Sequence, residues 1–96
     1  QTLLRYAEIY KRRKDFSLAC SLWERAATLN SLEACIELAK YYEHMGRSPH
    51  QALEWAKSAR RIVLSKNSKN QYLTQHLLKP IESRIERLQR KMQDTL

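Results

Sequence analysis

Ninety-six residues with 43% hydrophobic content make one modest domain with a thin core, neither a multidomain chain nor a disordered one. One Gly and two Pro are too few for the many turns of a sheet protein of this length, so few long elements are expected. No run approaches the roughly 18 apolar residues of a membrane span, no charged-then-apolar leader is present, and the formal charge of +8 falls mainly in the C-terminal third.

Residues 1–13 place Leu3, Tyr6, Ala7, Ile9 and Tyr10 at helical spacing, which predicts a first helix with one broad buried face. The run Lys11-Arg12-Arg13-Lys14 suits its C-terminus, where cations oppose the helix dipole. Asp15 reads as the N-cap of a second helix carrying Phe16, Ala19, Cys20, Trp23, Ala26 and Ala27 on one side and ending at Asn30. Asn30 and Glu33 have capping-box spacing and open a third helix, 31–45, with Leu32, Cys35, Ile36, Leu38, Ala39 and Tyr42 inward and Gly46 closing it. Ser48-Pro49-His50-Gln51 combines a Ser cap, Pro at the first helical position and Gln at the third. It starts a fourth helix running to about 64 that buries Ala52, Leu53, Trp55, Ala56, Ala59, Ile62 and Val63. The stretch 65–79 begins polar and reads as a linker with at most a short docked turn at Tyr72, Leu73, Leu77 and Leu78. Pro80 then fits the first position of a last helix, 80–93, with the narrow apolar stripe Ile81, Ile85, Leu88 and Met92 and the cations Arg84, Arg87 and Lys91 along one side.

The chain repeats itself. Ala7-x-x-Tyr10 recurs as Ala39-x-x-Tyr42 and the pair Ala19, Ala26 as Ala52, Ala59, at offsets of 32 and 33. Antiparallel helices approach closely only where small residues face each other, and bulky residues fill the wedge between successive hairpins. These positions fit the tetratricopeptide pattern, with Trp23 as the bulky residue of the first repeat. Glu37, standing where an aromatic is preferred, and Ala56, where bulk is preferred, depart from it. The expected architecture is all-α and TPR-like: repeat 1 over about 1–30, repeat 2 over about 31–64, a linker over 65–79 and a capping helix over 80–93. An ordinary helical bundle with Ala-rich seams is the alternative.

Leu38 through His44, then Ala52-Leu53, Trp55 and Ala59, resemble the C-terminal helical region of bacterial YprB-type ribonuclease-H-like proteins, a family of predicted exonucleases. The first hairpin, with Ala19, Leu22-Trp23, Arg25 and Ala26, and the closing IESRIERLQRKM also fit, so the resemblance covers most of the chain outside 65–79. It implies a larger metal-dependent nuclease to which this domain is appended, in keeping with a chain that begins at Gln1 rather than Met. The catalytic carboxylates of such an enzyme would lie elsewhere, since the ten acids here are spread along amphipathic helices.

No catalytic residue, cofactor or metal is expected in these residues. Cys20 and Cys35 lack CxxC spacing and read as small buried hydrophobes, reduced thiols of a cytoplasmic protein. Cys35 and His44 lie nine residues apart on one helix, about 13 Å at the helical rise, too far for a nucleophile and its base. Binding is the remaining class, with neither a membrane nor a small-molecule substrate as the target. A concave face on the first helix of each hairpin would present Glu8, Lys11, Arg12, Glu33, Lys40, Glu43 and His44 to a protein, either the chain's own neighbouring domain or another. The alternative is nucleic acid. Residues 1–59 hold nine Lys/Arg against seven Asp/Glu, and residues 60–96 hold nine against three. That excess would let Arg60, Arg61, Lys66, Lys69, Arg84, Arg87 and Lys91 contact phosphates. Tyr72 is the lone aromatic beside them, so base stacking is poorly provided for.

Overall fold

Sequence-local signals set the helix boundaries first. In the computed structural model, which describes residues 2–66 and 69–94, the chain forms α1 (Thr2–Arg12), α2 (Phe16–Ala27), α3 (Leu32–His44), α4 (Pro49–Lys66) and α5 (Gln71–Asp94), with no strand among the described residues. The first three connections share one device. Each contains a residue in the left-handed region, Lys14 (φ 61°), Asn30 (φ 62°) or Arg47 (φ 49°), followed at once by the residue that precedes the next helix, Asp15, Ser31 or Ser48. Asp15 N–H returns to the Tyr10 carbonyl and Ser31 N–H to the Ala26 carbonyl, each six residues counted inclusively, and the amides of Lys14 and Asn30 bond to Lys11 and Ala27. These are Schellman closures, which satisfy the last carbonyls of the finished helix. The same Asp15 and Ser31 then accept from Leu18 N and Ala34 N, so one residue ends a helix and caps the next.

Two expectations are corrected here. Asn30 is the left-handed closing residue and Ser31 is the cap, which makes Ala34 the third helical residue, so the capping box read at Asn30 and Glu33 does not form. Gly46 closes α3 without positive φ. That role falls to Arg47, while a Cβ on Gly46 would meet Tyr42 Cδ1 at 3.1 Å and Tyr41 Cε2 at 3.3 Å. Gly46 lies against two tyrosine rings that would have to shift by a few tenths of an ångström to admit a Cβ, and its φ is not what calls for glycine. Ser48 N–H spans back to Tyr42, one residue further than the Asp15–Tyr10 bond, and this single extra residue is why the repeat offset changes from 32 to 33 between α3 and α4.

The larger correction concerns 65–79 and Pro80. Ser65 and Lys66 continue α4, and α5 begins at Gln71 with Asn70 as its cap (Oδ1 to Leu73 N, 3.0 Å), so Pro80 lies in the interior of a 24-residue helix. An interior proline removes one helical hydrogen bond and costs about 3 kcal/mol. Pro80 and His76, whose carbonyl loses its partner, are both exposed, so water can serve that carbonyl. Leu77 and Leu78 pack on the core one turn earlier, and their burial offsets the helix-breaking preference.

The core has two parts. Ala7, Ala19, Cys20, Trp23 and Ala26 of the first hairpin enclose Ala34 and Leu38 of α3. Cys35 and Ala39 of α3 join the α4 residues and the stripe Ile81, Ile85 and Leu88 of α5. Ala27, Tyr42 and Trp55 touch both clusters and make them continuous. Trp55 thus lies beside the position where Ala56 departs from the repeat pattern. Tyr6 and Ile9, expected inside, are 52% and 40% exposed. Their counterparts at the 32-residue offset, Leu38 and Tyr41, are covered because α2 precedes α3, whereas no described helix precedes α1.

Two stability measurements probe this account. Lys14→Gly removes the strain of a side chain at positive φ and should raise the unfolding free energy by about 1 kcal/mol in urea denaturation. Pro80→Ala restores an N–H for the His76 carbonyl and should stabilise by about 1–3 kcal/mol, with increased helical circular dichroism. No change at Pro80 would contradict the placement of that residue inside α5.

Candidate functional site

The site-bearing side chains collect along α1, α3 and α5, and the sequence-predicted groups are regrouped there. Glu43, on the last turn of α3, has a side chain only 1% exposed, yet it was assigned to an open concave face. It is covered by α5. Oε1 accepts from Arg84 Nη1 and from Arg87 Nη2 (2.9 Å), and Oε2 accepts from Arg87 Nε (2.6 Å), the fork that a guanidinium presents to a carboxylate. Lys91 Nζ and His44 Nε2 stand at 3.7 Å. Three of the cations assigned to nucleic acid therefore surround a buried carboxylate assigned to a protein partner. The Arg87 hydrogen bonds, then the charges of Arg87 and Arg84, hold the Glu43 carboxyl at about 2 against the opposing effect of burial, and the same pairing raises Arg87.

A second set joins α1 to α3. Lys11 Nζ donates to Glu37 Oε1 at 2.8 Å, and Lys40 Nζ lies 3.5 Å from Glu37 Oε2. The Glu37 carboxylate raises the Lys11 ammonium above its ordinary value. Glu37 had no assigned role, and a Glu where the repeat pattern prefers an aromatic was the available signal. Beside this pair lies a groove of about 230 Å³. Phe16, Trp23, Tyr41 and Met45 form its apolar part, and Lys11, Glu37, Lys40 and His44 also line it. Phe16 and Tyr41 are in ring contact at 5.5 Å, and Tyr41 meets Tyr42 edge-on at 5.1 Å, so these aromatics brace one another. Phe16 and Trp23 read from sequence as inward-facing residues of the second helix, and Tyr41 and Met45 carry no expected role.

The remaining candidates are dispersed. Glu8 pairs with Arg12 at 3.5 Å, and both line a separate shallow depression of α1 with Glu33. Lys66 Nζ donates to the Asn30 carbonyl at 3.0 Å, tying the end of α4 to the turn before α3, with Arg61 beside the same small cavity. Arg60 is half-buried, and Lys69 is exposed in the turn before α5. The seven basic residues expected to contact phosphates are thus divided, and three of them gather at Glu43. Cys20 and Cys35 are free, buried thiols. Burial, with Glu24 nearby, pushes Cys20 up to about 11, and burial also raises Cys35, which keeps both protonated at neutral pH. Among the described residues no three His, Cys, Asp or Glu side chains converge as metal ligands, and no helix is long and apolar enough to cross a membrane.

Compared with known proteins, the chain matches no family model, no curated protein and no solved structure. The resemblance noted in its sequence accordingly rests on its own residues.

The buried ion pair makes a pH prediction whose sign follows from the lowered carboxyl. A depressed carboxylate contributes stability above its unfolded value, near 4.5, and loses it as pH falls toward about 2. Glu43→Gln should cost about 2–4 kcal/mol at neutral pH, because two guanidinium groups lose their counter-charge. It should also flatten the acid limb of stability between about pH 4.5 and 2, measured by urea denaturation across pH. An unchanged acid limb would show that Glu43 does not carry it.

Proposed function

We propose that this chain is a TPR-like protein-interaction domain, with α1, α3 and α5 as the inner helices of successive repeats and the last repeat reduced to its capping helix. The observation that carries the reading is the groove between α1, α2 and α3, lined by braced aromatics and by Lys11 and Lys40 paired with Glu37. Its volume is below the usual range for a small-molecule site and suits a single side chain of a protein segment. The paired turns at Lys14-Asp15 and Arg47-Ser48, and the buried alanines at matched offsets, support the repeat assignment. Two of the segments that carry the YprB-type resemblance also meet physically, since Glu43 of one holds Arg84 and Arg87 of the other. On that resemblance the domain is the appendage of a larger ribonuclease-H-like nuclease, contributing docking and no catalytic group. The accessory nucleic-acid reading is less favoured, because the basic residues are divided between the Glu43 cluster, the end of α4 and the turn before α5 and do not form one surface.

Selection of short random peptides on the purified chain tests this function. Enriched peptides should lose binding when Met45→Glu, at an exposed position, places a charge in the groove. Failure to enrich any peptide, or binders indifferent to Met45→Glu, would contradict the interaction reading. Strong, steeply salt-dependent binding of oligonucleotides would favour the alternative.

A further inference from the structure

The inner-helix face carries more positive charge than its own structure consumes. Lys11, Lys40, Arg84, Arg87 and Lys91 surround only two carboxylates, Glu37 and Glu43, which leaves three unbalanced cations. They are held at one end by those carboxylates and remain open at the other. Lys11 is 41% exposed, Arg87 43%, Lys40 50% and Lys91 51%. Tethering of this kind reduces the entropy lost when an anion binds across them. His44 joins the two halves of the strip, standing 3.7 Å from Glu43 while lining the groove that contains Tyr41 and Met45. A cationic strip therefore runs beside an apolar seat for one side chain.

We propose that this face receives an acidic, extended segment of a partner protein, with one large apolar side chain in the groove beside Tyr41 and Met45 and its carboxylates lying toward Lys40, Arg87 and Lys91. The assignment rests on the interaction-domain reading above and names its partner class. Charge complementarity selects an acidic segment. The groove selects a peptide over a phosphate backbone, because a base would need an open aromatic face. Trp23 is buried, and Tyr41 is occupied by Phe16 and Tyr42.

Fluorescence anisotropy with four probes on the whole chain tests the assignment. The probes are a Glu/Asp-rich peptide with one central Leu, the same peptide with Ala in its place, a version with Lys replacing the acids, and a single-stranded oligothymidylate of equal charge. The acidic Leu peptide should bind most tightly. The central Ala should weaken it about tenfold, as expected for burial of a large side chain. Lys40→Gln and Met45→Glu should each weaken it by a similar factor, with each variant keeping a cooperative thermal transition. Equal binding of the Leu and Ala peptides would overturn the proposal by reducing it to bulk electrostatics. Preferential binding of the oligothymidylate, insensitive to Met45→Glu, would overturn it in favour of nucleic acid. If the Lys-rich peptide alone binds and is displaced by Met45→Glu, the acidic partner class fails while the interaction function stands. If no peptide binds, both fail.

Discussion

The close approach of helices at buried alanines is the constraint on which the rest depends. Ala7, Ala19, Ala26, Ala34, Ala39, Ala52, Ala56 and Ala59 are all essentially inaccessible, and the largest fully buried side chains are only Leu38, Leu88, Val63 and Cys35. A domain of this size cannot gather many large residues in one centre, so it brings backbones close and obtains packing density from short side chains. Each helix pair then has few alternative registers, because sliding by one turn would set a larger residue against a helix backbone. The resulting body measures 38 × 36 × 18 Å, thin in one direction, which leaves a high proportion of side chains on its two broad faces.

That thinness explains the prominence of ion pairs. α5 meets the body through the stripe Ile81, Ile85 and Leu88 and through the guanidinium groups that enclose Glu43. A buried ion pair is weak evidence of net stability, since desolvation opposes the attraction, but it penalises strongly any arrangement that leaves Glu43 uncovered. It therefore fixes the rotation and height of α5 in a way that an apolar stripe alone would not. The pair Lys11–Glu37 acts between α1 and α3 at a more exposed position and contributes less, about 1 kcal/mol or below. Together these pairs align three helices along one side, and the aromatic groove is the gap left between α1 and α3 next to the α2 side chains.

Much of the fold was legible because its rules are local or periodic. The Ala spacing gave the hairpins, Asp15 gave the start of α2, and Ser48-Pro49 gave the start of α4. The misread positions are those where two local signals compete or where tertiary contact decides. Asn30 and Ser31 are both good caps, and the helix that ends there needs one residue at positive φ, a task Asn performs better than Ser. Pro80 carries a start signal, but Leu77 and Leu78 can reach the core only if the helix already exists before it. Tyr6 and Ile9 repeat the pattern of covered residues in α3 and lack only the covering helix. The candidate site was less legible. Glu43 in isolation is an ordinary charged residue near a helix C-terminus, and its partners Arg84 and Arg87 lie 41 and 44 residues away. Phe16 and Trp23 were hidden by the rule that apolar residues at helical spacing are core, and Tyr41 lies off the apolar stripe that the spacing of α3 marks.

Overpacking at matched alanines is the most direct measurement of the central claim, that close helix approach at equivalent positions specifies the structure. Ala19→Val and Ala52→Val introduce the same two methyl groups at positions 33 residues apart, both fully buried. Urea denaturation of the two variants should show comparable losses of about 1–3 kcal/mol, with the transition remaining cooperative. Tolerance of either substitution within about 0.5 kcal/mol would mean that the helices are not held at that separation, and would contradict the account.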